Sequence, residues 1–260
     1  MLAVEHNPIR IQAIQQEIVN RLQKLANRKT ARTAQRFFPE KIACFGVRAA
    51  DLRALCREVY KKVKPAFSIP QALELAESLF YWPELECRSC GLLLLGFFHS
   101  GLKKPHLEKI KSWLKNGYLD NWALIDTLCM EVLGPFFLKN PDRLRIIAEW
   151  SKDDSPYLRR AALVSLVKLT REQENLDFIF RTLKLAVRDN KEEDLVAKAA
   201  GWLLREAGKT DRQLLENFLL SFGSKLPRVA VRYALEKFPP GRREYFMKKT
   251  KINNSRRPYD

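Results

Sequence analysis

Trp122 and Asp126 lie one helical turn apart in the segment Asn121-Trp-Ala-Leu-Ile-Asp126, within a 260-residue chain whose net charge is +17. A basic surface that docks on a polyanion has little use for a carboxylate, so one set beside an indole is a candidate for acting on the partner. One reaction suits these groups. A purine alkylated at N3 or N7 carries a formal positive charge and leaves its sugar without prior protonation. What remains is to stabilise the oxocarbenium-like sugar and to direct water at C1′, and an ionised Asp126 serves both needs. The ring faces of Trp122 and Trp202 would favour a cationic nucleotide by ~0.5–2 kcal/mol, and a neighbouring arginine would help keep Asp126 ionised. Taken singly, each residue also fits a plain role: Asp126 as a solvated or salt-bridged helix residue, Arg160 as a surface charge, a tryptophan as core. Trp113 and Trp150 are assigned to the core.

Residues this far apart in sequence meet only if the elements that carry them repeat. Apolar residues recur at three- and four-residue spacing, as in Leu158, Ala161, Ala162, Leu163, Leu166 and Val167, and no sustained alternation points to a strand. The chain is expected to be all α, with about a dozen helices. Ser155-Pro156, Asn140-Pro141 and Thr210-Asp211 mark helix starts, and Gly208 and Gly223 are placed as left-handed helix ends. Stepping from Gly91 through Asp126, Ala162 and Ala200 to Ala234 gives intervals of 35, 36, 38 and 34 residues, the period of paired-helix repeats such as HEAT. Small residues in the second helix of each pair let neighbouring pairs stack closely, and such pairs build a solenoid with a concave, basic groove. The second helices would bring Trp122, Asp126, Arg160 and Trp202 to that groove. Arg48, Arg53, Arg159, Lys198, Arg205, Lys209, Arg228 and Arg232 are the cations assigned to DNA phosphates. The solenoid is read as a single domain over residues 1–238.

Pro239-Pro-Gly241 should end the last repeat and release a basic tail, 239–260. From Lys225 to Asp260 there are eleven Lys or Arg and three acids, net +8. With 47 Lys plus Arg against 30 acids overall, nucleic acid is the expected partner and an anionic membrane the second choice. The apolar run Gly91–Phe98 is far shorter than the ~20 residues a membrane-spanning helix needs, and no apolar signal core opens the sequence. A cytoplasmic, monomeric protein is expected. Five scattered cysteines argue for reduced thiols. Cys87-Arg-Ser-Cys90 lacks a second CxxC or a nearby histidine, so it reads as two buried helix residues rather than a metal or redox site. No cofactor is required by this chemistry.

Cys44-Phe-Gly-Val-Arg48, Asn121-Trp-Ala-Leu-Ile-Asp126, Tyr157-Leu-Arg-Arg160-Ala-Ala and Lys198-Ala-Ala-Gly-Trp-Leu-Leu-Arg-Glu206 resemble the AlkD family of DNA alkylation repair glycosylases, over about residues 30–238. The resemblance implies a HEAT-like solenoid that removes cationic N3- and N7-alkylpurines from duplex DNA, leaving an abasic site, without gripping the base in a tight pocket. It implies Asp126 as the catalytic carboxylate, Trp122 and Trp202 as indoles against the lesion's sugar, and Arg160 as an arginine facing the DNA backbone. Two positions depart from the family pattern: Asn121 stands where a tryptophan is common, and Phe37 where a tyrosine is. The rival readings are a DNA-binding relative that excises nothing, and a helical scaffold for an acidic protein.

If several phosphates are contacted, DNA affinity falls steeply with salt, with a log–log slope of roughly −0.9 for each contact. A titration of duplex binding against salt checks this, and a flat response would remove the groove.

Overall fold

The computed structural model describes residues 8–188 and 193–251. Fifteen α-helices occur among them, joined by short 3₁₀ turns, with no strand among the described residues. In chain order they are α1 (Pro8–Lys24), α2 (Arg28–Gln35), α3 (Ala49–Val63), α4 (Ile69–Phe80), α5 (Leu85–Gly96), α6 (Lys104–Lys115), α7 (Trp122–Leu128) and α8 (Gly134–Lys139). These are followed by α9 (Arg145–Trp150), α10 (Pro156–Ser165), α11 (Leu176–Ala186), α12 (Asp194–Thr210), α13 (Arg212–Phe222), α14 (Arg228–Ala234) and α15 (Pro240–Lys249). A π-helical turn, Cys129–Leu133, separates α7 from α8. The chain divides into two compact units: residues up to Ile110 with Glu131–Phe136, and Lys111–Met130 with Phe137 onward.

In the first unit α4 and α5 form a pair, and α1 and α3 pack on them. Their buried faces include Ile18, Leu22, Leu55, Leu79 and both cysteines of the CxxC, Cys87 and Cys90. The turn before α3 is held by a buried carboxylate: Glu86 accepts the backbone N–H groups of Phe45 (2.9 Å), Gly46 (2.7 Å) and Val47 (3.0 Å). Gly46 has φ +80°, and a Cβ there would lie 2.2 Å from the Asn27 carbonyl oxygen, so the Cys44–Arg48 motif depends on glycine twice over.

In the second unit the expected repeat is present. α7, α10, α12 and α14 lie side by side, α9 pairs with α10, and α11 packs against both α9 and α12. Trp113 and Trp150 are fully buried, as expected. Small residues set the spacing of these helices: Ala161, Ala162, Ala199, Ala200, Ala230 and Ala234 are all buried. Gly201 sits against α14, where a Cβ would meet the Tyr233 Cβ at 2.4 Å and the Ala230 carbonyl oxygen at 2.6 Å.

Several boundaries differ from the expectation. Gly208 lies within α12, and Gly223 caps α13 at φ −60° rather than in the left-handed region. Asp211 terminates the first and starts the second by accepting the Leu214 N–H at 2.8 Å. The segment after Pro239 is not released at that point. It forms α15, which packs on α13 and buries Phe246 completely, and only the part of the expected tail beyond 251 lies outside the described residues. The reason is amphipathy: Phe246 and Thr250 turn inward while Arg243, Glu244, Lys248 and Lys249 remain exposed.

Gly201→Ala is expected to lower stability by about 1–3 kcal/mol through overpacking against α14, even though alanine gains up to ~1 kcal/mol of helix propensity. A shift of the urea midpoint to lower concentration is the check, and an unchanged or higher midpoint would show that α12 and α14 have room to spare.

Candidate active site

α7 begins at Asn121, whose side chain accepts the Ala123 and Leu124 N–H groups at 3.1 and 3.2 Å. Here asparagine supplies the cap that fixes where the helix starts and hence the phase of every residue after it. Leu124, Ile125 and Leu128 face inward. Trp122, in the first turn, keeps 37% of its surface exposed, and Asp126 follows one turn on.

Asp126 meets Arg160 of α10 in a two-pronged ion pair. Arg160 Nε donates to Oδ1 at 3.0 Å and Nη2 to Oδ2 at 2.7 Å, while Nη1 donates to the Leu195 carbonyl of α12 at 2.6 Å. Three neighbouring helices are therefore joined through one guanidinium. Both partners are largely buried, with side-chain exposures of 17% for Asp126 and 6% for Arg160. Burial pushes the Asp126 carboxyl above the ordinary carboxylate range, and the charge and hydrogen bonds of Arg160 pull it back without fully offsetting the burial. The expectation that a neighbouring arginine keeps Asp126 ionised thus holds for the sign of that arginine's own effect, not for the net shift. Each carboxylate oxygen has two lone pairs and the arginine uses one on each, leaving acceptor capacity for a water or for a developing cation.

Trp202 occupies different ground. It is half-buried on α12 and lines a cavity of about 440 Å³ with Met130, Val167, Lys168, Arg171 and Lys209. Met130 lies one turn beyond Asp126, but Asp126 itself does not line this cavity. Lys168 and Arg171 were not singled out in the sequence. Their signal was available, as two cations directly following α10 in the repeat that carries Arg160.

The cations assigned to phosphate divide by environment. Arg159 is buried and donates to the carbonyls of Asp153 (3.1 Å) and Asp154 (2.8 Å), which makes it a clamp on the turn before α10. Arg228 donates to Thr250 Oγ1 (2.9 Å) and the Met247 carbonyl (2.8 Å), fastening α15. Arg205 is held by Glu206 and Glu236. Neither Arg159 nor Arg228 is free to meet phosphate in this arrangement. Exposed positions go to Arg48, paired with Asp51; Arg53, with Glu131; Lys198, with Asp194; and Lys209, with Glu206. Arg232 is exposed on α14. Phe37 is 68% exposed beside the cationic helix α2.

The fold and this site together define an all-α helical-repeat protein with a buried Asp–Arg pair one turn from a partly exposed indole. Residues 18–238 match the sequence model of the family described as DNA alkylation repair enzyme, and the chain belongs to that family. Among solved structures, a predicted DNA alkylation repair enzyme from Enterococcus faecalis shares the fold with a TM-score of 0.72 at 19% identity, covering 83% of this chain and 97% of that one. AlkD2 from Streptococcus mutans aligns with a TM-score of 0.59 at 19% identity, covering 87% and 99%. The protein smu.31 from Streptococcus mutans UA159 gives 0.55 at 18% identity, covering 91% and 97%. A search of curated proteins finds no match. No helix among the described residues is long and apolar enough to cross a membrane.

Arg160→Ala should cost about 3–5 kcal/mol at neutral pH, because it leaves Asp126 buried and uncompensated. The folded-state pKa of Asp126 is already raised, so its favourable contribution is complete below the unfolded value and is lost as pH rises through the folded value. Without Arg160 that loss moves to higher pH. Chemical denaturation of parent and variant across pH should therefore show the deficit shrinking on acidification, and a deficit independent of pH would mean the two side chains are not paired.

Proposed function

We propose that this protein is a monofunctional DNA glycosylase that hydrolyses the N-glycosidic bond of cationic N3- or N7-alkylated purines in duplex DNA. The observation that carries the reading is Asp126, a carboxylate held in place by two bonds from Arg160, with unused lone pairs and an exposed Trp122 one turn away. Water attacks C1′, the C1′–N bonding pair returns to the base and cancels its charge, and the water's proton passes to Asp126 or solvent. A carboxyl raised by burial is a better proton acceptor than one at its ordinary value. Arg160 acts as a positioning residue in this scheme rather than as a contact to the backbone. Trp122 offers its ring face to the cationic nucleotide, and the Trp202 cavity, flanked by Lys168, Arg171 and Lys209, suits the adjacent sugar–phosphate.

No lysine serves as nucleophile in this scheme, so the product is an abasic site in an intact strand. No cofactor or metal takes part. The partner in this reading is duplex DNA carrying alkylated bases, and the protein is taken as a cytoplasmic monomer. The second reading is a member of the same family that binds damaged or branched DNA without excision.

Duplex DNA containing 7-methylguanine should lose free base on incubation with the protein, leaving alkali-labile sites. Asp126→Asn should slow release by roughly 10²–10⁴-fold while DNA affinity is kept or improved, with circular dichroism confirming the fold. Release by the variant at the parent rate would remove Asp126 from catalysis, and tight binding with no release by the parent would establish the second reading.

The rate of release should also fall on acidification through a pKa above the ordinary carboxylate value, because burial raises Asp126. A single-turnover pH profile measures this, and a rate that stays flat down to the ordinary carboxylate range would contradict a role for the ionised form.

A further inference from the structure

The first unit contains a cavity of about 270 Å³ that the glycosylase reading does not use. It is lined by Arg53 and Arg57 of α3, by Gly96 and Phe97 at the end of α5, by His99, and by Glu131. Its walls close because α5 ends in glycine: a Cβ on Gly96 would lie 3.0 Å from the Glu131 carbonyl oxygen and 3.1 Å from the Glu131 Cβ.

The polar inventory of this cavity is unbalanced. Arg53 is paired with Glu131 at 2.8 Å. Arg57 stands one turn further along α3, exposed and without an ion-pair partner among the described residues. The Nδ1 of His99 lies 2.8 Å from the Gly96 carbonyl oxygen, which can only accept, so Nδ1 carries a hydrogen and donates. The other ring nitrogen, Nε2, is buried and meets no hydrogen-bonding group among the described residues. An isolated buried polar atom is unfavourable and calls for a partner. Two guanidinium groups against one carboxylate leave a single positive charge around that imidazole.

We propose that this cavity binds a phosphate group, with Arg57 and His99 as its principal contacts and Arg53, steadied by Glu131, as the third. A phosphodiester carries one negative charge, matching the surplus, and its oxygens accept from guanidinium N–H groups. With both ring nitrogens protonated, His99 donates from Nε2 to the same oxygens; with Nε2 bare it can accept only from the hydroxyl of free phosphate, because a phosphodiester has none. The phosphate comes either from the backbone of bound DNA or from free phosphate. The first source rests on the DNA-directed reading above and extends it to a backbone contact in the unit that does not contain Asp126.

The test uses the full-length protein, Arg57→Ala and His99→Ala, with His99→Gln as the variant that retains a donor. Binding of undamaged duplex is measured across a salt series, and inorganic phosphate is titrated against the parent while the His99 ring resonances are followed. With backbone binding, Arg57→Ala weakens affinity roughly 10-fold and lowers the salt slope by about one. His99→Ala weakens it as well, and His99→Gln restores part of the loss. A shift of the His99 resonances with phosphate, abolished by Arg57→Ala but accompanied by unchanged DNA affinity, assigns the cavity to free phosphate. Unchanged DNA binding together with unmoved His99 resonances overturns the proposal. Because undamaged DNA is the ligand and no excision is scored, failure of base release leaves this result standing, and failure here leaves the excision result standing.

Discussion

The contact on which the second unit turns is the ion pair between Asp126 and Arg160. Removing a carboxylate and a guanidinium from water costs several kcal/mol for each, of order, before any attraction is recovered. The two-pronged geometry and the third bond to the Leu195 carbonyl supply that recovery and at the same time fix α7, α10 and α12 in register. On the proposed reading Asp126 acts on a cationic sugar and cannot be free to swing, and its orientation is enforced by the same bonds that hold the helices together. The candidate catalytic residue and the residues that pack are therefore not separable in this unit.

Around that pair, backbone proximity is the second requirement. Helices must approach closely for an arginine on one to reach both a carboxylate on the preceding helix and a carbonyl on the following one. Alanine and glycine at the contacts permit such approaches, as where Gly201 of α12 lies against Tyr233 and Ala230 of α14. Cys129 also belongs to this packing. Its thiol lies 3.4 Å from the Ala161 carbonyl oxygen, and burial pushes it far above the usual thiol range, so it behaves as a small apolar residue.

Much of this was legible in the sequence. Helical periodicity, the recurrence near 36 residues and the placing of Asp126 and Arg160 on neighbouring helices all follow from side-chain chemistry acting within or between equivalent positions, whereas Trp202 lines a separate cavity. Neighbours such as Arg159 and Arg160 were not separable, because a helix turns ~100° from one residue to the next and only packing decides which of them faces α7. Arg160 reaches Asp126, whereas Arg159 reaches the carbonyls of Asp153 and Asp154. Likewise Arg205 reads as a groove cation until Glu236, thirty-one positions later, is seen to hold it. Glycine misled in the opposite way: Gly208 signals a helix end by type but serves as a space-saver, where a Cβ would meet Leu215 Cδ2 at 2.3 Å.

The helix after Pro239 has a wider significance. A stack of helix pairs has no natural terminus, since each pair offers the next an apolar ledge. Here α15 covers that ledge with Phe246, set edge-on against Phe238 at 5.8 Å, and turns Arg243, Glu244, Lys248 and Lys249 to solvent. The family match stops at residue 238, one helix short of this lid. The protein as a physical body is thus longer than the protein as a family member. A fragment cut at the evolutionary border would carry an adhesive end, and its colloidal behaviour would be governed by residues that the family signature omits.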